Sequence, residues 1–575
     1  MALSVGSRWL SREWYSFSVD GDCVGGGSVQ SETARGGKYS VRLASVAPAS
    51  VALYLAVVLG LFVAILHRDS GVFTYTLDDP YIHLALAENI AHGHYGINPG
   101  EISAPSSSIV WPFLLVPAAR EAWGRFLPLA LNIIFCGLAA WRIGRIVDGW
   151  AGIGRQFSAP STHRGETAMN GAHGHLSCGW LGRMLLAATL MLVANLAGLT
   201  FVGMEHGLQV LLAILCAEGL IEAFAGRRIP WWCLVAAAVG PMVRYENFAL
   251  LVAVAIALVG QRRGRTAAQM VGLSLIGPAL FSIFLVSHGL SALPSSVLLK
   301  TSVNAPPGSS WMAVVRRMYW VQVHEPAWWE QLLVAGVLAT LLTLERERVR
   351  RSVLTGTLVA AFLQLTVGHV NWFFRYEVYA MIFTVLVAAT ALVETKRLWW
   401  GTITVGLLAL GTPYKYALSD TPAAASNVFQ QQYQMHRFVT EFYRHTVAVN
   451  DLGLVSYRRP TGIYVLDLYG LASPEAAHEK HKNAGWMDEI TNQHQAGLAM
   501  IYPDWYEEGA PDDWEPLGTM CITGERLSVA YRCVVFYSTA VGDTEEMRSE
   551  LADFTRTLPK SVKMTLGRDA SVKNP

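Results

Sequence analysis

Thr76-Leu77-Asp78-Asp79-Pro80-Tyr81-Ile82-His83 follows the apolar run 49–66 and sets the reading of the whole chain. Two adjacent carboxylates at the water edge of a bilayer repel one another and lose solvation energy if buried, so a plain membrane anchor has little use for them. In this position they mark a catalytic or cation-binding site. Proline is suited to the first turn of a helix. If Pro80 opens one, Asp79 and His83 share a face as base and partner, or as two ligands of one cation, and Asp78 caps the helix. Simple capping by both aspartates is the competing reading.

The composition agrees with a bilayer setting. Of 575 residues 52% are hydrophobic and 15% charged, with a mean hydropathy of +0.33, which is too apolar for a soluble enzyme of this length. The fold class expected is a polytopic α-helical membrane protein with a small C-terminal extracytoplasmic α/β domain. A crossing needs roughly 17–25 apolar residues, and about eleven stretches qualify: 49–66, 126–147, 180–203, 206–224, 230–244, 246–260, 267–287, 329–344, 352–368, 377–394 and 398–414. The run 109–118 is short and carries Pro112 and Pro117, so it reads as a partly embedded surface helix. A net charge of +1 gives nucleic-acid binding no support.

Three segments follow: a disordered cytoplasmic leader (1–48), a transmembrane domain (49–415) whose first outer loop (67–125) holds the acidic pair, and an outer α/β domain (416–575). Arg142 and Arg145, Arg227 and Arg228, Arg262 to Arg265, Arg346 to Arg351, and Lys396-Arg397 fall on alternate turns, which makes that side cytoplasmic. The N-terminus is then inside, and Asp78-Asp79, Glu205, Arg244, Lys300 and Arg375 face outward with everything after about residue 415. In the outer domain, strand-like runs at 462–467, 498–502 and 527–537 and a helical run at 544–556 read as α/β. Cys521 and Cys533 lie there, and an oxidising exterior makes them a candidate disulfide, two free thiols being the alternative.

Other residues carry candidate chemistry. Glu205, between Gly203 and His206, suits a helix N-terminus or a site carboxylate. Arg244-Tyr245-Glu246 interrupts an apolar hairpin and reads as a site cation or a structural ion pair. Lys300 and Arg375 are cations at the bilayer surface, where a departing phosphate would require them and lipid snorkelling is the alternative. His83, with His92 and His94, fits no transition-metal spacing.

Asp78-Asp79-Pro-Tyr-Ile-His-Leu-Ala-Leu-Ala-Glu-Asn-Ile-Ala-His-Gly-His-Tyr-Gly-Ile-Asn-Pro-Gly-Glu101, with Pro105-Ser-Ser-Ser-Ile-Val-Trp111 and Gly203-Met-Glu205, resembles the GT-C superfamily of membrane glycosyltransferases. Within it the chain is most similar to the bacterial terminal arabinofuranosyltransferase-like group. Asp451-Leu-Gly453 and Asp467-Leu-Tyr-Gly-Leu471 add to the likeness, whereas Leu84 and Asn371 stand where the family often has a basic residue and an aspartate. The resemblance implies an enzyme of the bacterial cytoplasmic membrane that moves a sugar from a polyprenyl-phosphate donor to an envelope glycan, lipid or protein. Asp79 or Asp78 would be the general base of an inverting transfer, and Lys300, Arg375 and Arg244 would bind the donor phosphate. Some relatives use a divalent cation; Asp79 and Glu205 would suit magnesium, manganese or calcium, and that question stays open.

A transporter or flippase for a lipid or polar solute is the main rival, since many spans with boundary charges fit it too. Coupled transporters keep ionisable groups near mid-membrane, whereas here they collect at the rim. A lipid-carrier ligase and a non-catalytic envelope scaffold are further alternatives.

Overall fold

The computed structural model describes residues 44–156, 179–302, 310–313, 316, 322–394, 400–479, 481–506 and 508–567. The expected leader falls almost wholly outside them. Among the described residues, six helices are long and apolar enough to cross a membrane: Ala47–Arg68, Gly124–Ala151, Trp180–Val202, His206–Phe224, Gly264–Ser287 and Pro326–Leu344. Trp231–Val243, Tyr245–Gly260 and Val378–Glu394 are apolar but shorter.

The expectation of about eleven crossings is therefore corrected to six by length and apolarity. The reasons are local. The expected crossings 230–244 and 246–260 form helices Trp231–Val243 and Phe248–Gly260 of only 13 residues each, separated by the extended Arg244 backbone and the tight turn Tyr245–Asn247. Helix Arg348–Thr366 begins with Arg348, Arg350 and Arg351, and Trp400–Leu410 has only 11 residues. The run 109–118 forms the five-residue helix Trp111–Leu115 and a further turn, with Trp111 fully buried.

Polar groups sort to the two ends of the bundle. At one end lie the acidic pair, Glu205, Arg244 and Arg375. At the other, Arg142 pairs with Glu218, Arg183 with Asp148 at 2.5 Å, and Arg350 with Glu394 at 3.3 Å. Helix His206–Phe224 runs from the first end to the second, and its 19 residues span about 28 Å at the usual helical rise.

Helix Thr412–Gln430 crosses the expected boundary at 415 and leads into a mixed six-stranded sheet. Its strands are β1 (Val447–Val449), β2 (Val465–Asp467), β3 (Leu498–Ile501), β4 (Glu515–Ile522), β5 (Cys533–Ser538) and β6 (Val562–Leu566), in the order β2-β1-β3-β5-β4-β6. β1 pairs in parallel with β2 and β3, and the other pairings are antiparallel. The expected strand 527–537 begins only at Cys533, because Leu527 and Ser528 are hydrogen-bonded to Asn427 instead. One face buries Met487 and Ile490 of helix Ala484–Gln493. The other packs Phe536 against Phe438 and Phe554, in a core continuous with the helical bundle.

Cys521 and Cys533 stand opposite each other on β4 and β5 and form a disulfide, closing a 12-residue separation. A loop of that size stabilises by about 2–3 kcal/mol. Cys521→Ser with Cys533→Ser should lower the C-terminal region's stability by that amount in a denaturant melt, and an unchanged midpoint would show that the bridge contributes nothing.

Candidate functional site

Pro80 does open a helix, Asp79–Ala91, and Asp78 occupies its N-cap position. The Asp78 side chain does not cap that helix. Its two oxygens accept hydrogen bonds from the backbone N–H groups of Gly453 (2.7 Å) and Leu454 (2.8 Å), at the start of the short helix Gly453–Ser456 in the C-terminal region. Gly453 permits this approach, since a Cβ there would lie 2.3 Å from the Asp78 carbonyl oxygen. The first loop is thereby clamped to the C-terminal region by a carboxylate and two amides. A second tie lies close by: the Asn98 amide pairs with the backbone of Val465 on edge strand β2, donating at 2.9 Å and accepting at 3.1 Å.

Asp79 points elsewhere. Its carboxylate, 31% exposed, meets Arg375 Nη1 at 3.0 Å. Arg375 itself is buried, also donates to the sulfur of Met204 and to the Tyr376 hydroxyl, and keeps an Nε without a hydrogen-bond partner among the described residues. Burial disfavours its charge, but Asp79 and Tyr376 outweigh this and raise its pKa. The cation is delivered by an unusual backbone: Asn371, Trp372, Phe373 and Phe374 all have positive φ, from 47° to 67°. Each such residue costs roughly 1–2 kcal/mol, so the turn must be held from outside. The Asn371 backbone N–H donates to Glu377 at 2.8 Å, its side-chain amide to Glu325 at 2.6 Å, and Asn195 donates to the Phe374 carbonyl at 2.9 Å. Glu377 is buried, and its carboxyl is pushed up to about 7 by that burial.

Behind this pair sits a closed ionic network. Arg244, 2% exposed, donates to Glu205 at 2.7 Å on one side and to Glu246 at 2.7 Å on the other. Glu205 is fully buried, accepts weakly from Ser107 at 3.4 Å, and lies 3.7 Å from His83 Nε2. Asp79 and His83 thus do share a helix but serve different partners. Gly203, at φ 69°, lets the chain pass against the Tyr75 ring, where a Cβ would come within 2.5 Å. Arg244 and Arg375 lie over the Tyr376 ring, at 5.3 Å and 4.8 Å from its centroid.

The C-terminal region contributes carboxylates of its own. Asp451 accepts from Gln432 at 2.9 Å and from the Tyr502 hydroxyl at 2.8 Å, and Asp467 accepts from the Tyr469 and Ala472 amides. Burial, and then the neighbouring Asp451 charge, push the Asp78 carboxyl well above the ordinary range; Asp451 is raised by burial as well. The folded protein therefore holds a proton there that the unfolded chain would release near pH 4, so this pair's contribution to stability falls as pH rises above that value. Asp451→Asn should flatten the decline between pH 5 and about 8; an identical pH slope in a thermal melt would contradict the assignment.

Of the candidates from sequence, Asp78, Asp79, Glu205, His83, Arg244 and Arg375 come together at one end of the bundle. Lys300 falls in helix Ser295–Ser302, but its side chain lies outside the described residues. Cys521 and Cys533 are structural. The donor set does not fit a resident cation: Asp79 and Glu205 are engaged by arginines, His94 bonds the carbonyls of Asn98 and Glu101, and no group of three His, Cys, Asp or Glu converges among the described residues. Sequence reasoning gave no role to Tyr376, Glu377 or Asp451. The Arg375-Tyr376-Glu377 run and the Asp451-Leu-Gly453 triplet were their only signals.

Residues 426–537 match a family model described as Domain of unknown function (DUF8728). No curated protein matches the chain.

Proposed function

We propose that the chain is a membrane glycosyltransferase that moves a sugar from a polyprenyl-phosphate donor to an envelope glycan, lipid or protein on the outer face of the bacterial cytoplasmic membrane. The observation that carries the reading is the Asp79–Arg375 pair: a partly exposed carboxylate touching a buried guanidinium, with one further N–H of that guanidinium unspent. This is the minimal equipment for inverting transfer to an acceptor hydroxyl. Asp79 takes the hydroxyl proton as the new oxygen-to-anomeric-carbon bond forms, the bond from that carbon to the phosphate oxygen breaks, and the departing phosphate stays with Arg375. Donor phosphate competes with Asp79 for Arg375, so binding the donor frees the base.

The other acids and cations divide their roles around that pair. Asp78, with both oxygens spent on Gly453 and Leu454, positions the first loop and does not act as the base. Arg244 is saturated by Glu205 and Glu246, which suits it to holding the floor of the site and not to taking a phosphate. Charges gathered at the bundle's end, not along its middle, favour surface chemistry over solute passage.

The test is reconstitution of the full chain with a panel of polyprenyl-phosphate sugars and a mixed envelope-glycan acceptor. Labelled sugar should move to the acceptor from at least one donor. Absence of transfer from every donor, with measurable solute flux in the same vesicles, would favour the transporter.

A further inference from the structure

At the end of the bundle opposite Asp79, a groove of about 770 Å³ opens between three helix termini. Phe224 and Arg227 come from the end of helix His206–Phe224 and the turn beyond it, Gln261 and Arg263 from the turn after Phe248–Gly260, and Arg350 from the start of Arg348–Thr366. Arg228 completes a lining with four arginines and one carboxylate, Glu347. That carboxylate is already spent, its oxygens accepting from the backbone N–H groups of Val349 and Arg350. Arg227 is paired with Glu222, and Arg350 with Glu394, while Arg350 also donates to the Phe224 carbonyl and lies over the Phe224 ring. Among the described residues Arg228 and Arg263 have no carboxylate partner, and the Arg263 side chain donates to the Ile229 carbonyl at 3.3 Å.

Two guanidiniums with no carboxylate partner among the described residues lie in a concave site at the terminus of a helix long enough to span a bilayer, where a lipid headgroup would be met. We propose that this groove binds the phosphate headgroup of an anionic membrane lipid, with Arg228 and Arg263 as its phosphate ligands. The phosphodiester matches guanidinium geometry. The proposal stands apart from the sugar-transfer reading and uses none of its residues.

The full chain, purified in neutral detergent, is offered equal amounts of phosphatidylglycerol and phosphatidylcholine, and retained lipid is weighed by native mass spectrometry. The parent should retain the anionic lipid about tenfold over the neutral one. The double variant Arg228→Gln and Arg263→Gln should retain both equally while melting at the parent's temperature in neutral lipid. Arg556→Gln, on an exposed helix of the C-terminal region, should keep the preference. No preference in the parent, or an undiminished preference in the double variant, would overturn the proposal. So would loss of the bound lipid to excess inorganic phosphate, which would assign the groove to a soluble anion.

Discussion

Asp79→Asn should abolish sugar transfer, lowering turnover by about 10²–10⁴-fold, the span that a positioned general base supplies. The change removes the proton acceptor while keeping the side chain's shape, and an amide oxygen can still accept from Arg375 Nη1, so the fold has no reason to change. Donor binding should persist or tighten, because the competitor for Arg375 has lost its charge. Steady-state assays of reconstituted parent and variant would therefore show a collapsed kcat with an equal or lower KM for the lipid donor. Asp78→Asn has a different expected signature: a lower melting temperature as the hold on Gly453 and Leu454 weakens, with residual transfer in the folded fraction. Loss of activity in both with unchanged stability would mean that the two aspartates share the proton-transfer role.

Arg244→Met should be the most damaging single change to stability. Glu205 bears the consequences because it is wholly buried, and among the described residues Arg244 is its close cationic partner, with the His83 imidazole nearby. Breaking a buried ion pair by removing one member typically costs about 3–5 kcal/mol, since the remaining charge is left without compensation. Arg244→Met should therefore melt well below the parent. The double variant Arg244→Met with Glu205→Leu, which removes both buried charges, should regain most of the loss. A single variant as stable as the parent would show that the network contributes little.

The helical character, the C-terminal mixture of strand and helix, and the grouping of acids and cations were legible in the sequence because each rests on local pattern: apolar runs, alternation, and charges at the edges of those runs. The number of long apolar helices was not. Apolarity alone does not set helix length: 230–244 and 246–260 are apolar stretches yet form helices of only 13 residues each. Asp79 was legible as an acid beside a helix-opening proline, yet its partner lies 296 positions away, and the amides that hold Asp78 lie 375 and 376 positions away. No local signal separates two adjacent aspartates into one that clamps and one that faces an arginine. The left-handed turn Asn371–Phe374 was equally hidden, because none of those four residues is glycine and the conformation is held by Glu377, just beyond the turn, and by Glu325 and Asn195 from other segments.

In the proposed orientation the Asp79–Arg375 site opens to the outside of the cell and the arginine-rich end faces the cytoplasm. Ala122, exposed in the first loop, and Arg346, exposed at the opposite end, are suitable reporters. Cysteine at each, in a background with Cys23 and Cys178 replaced by serine and with the free thiols Cys136, Cys216 and Cys233 buried, can be treated with a membrane-impermeant maleimide on intact cells. Labelling of Ala122→Cys without permeabilisation, and of Arg346→Cys only after it, is the expected result; the reverse pattern would contradict the account.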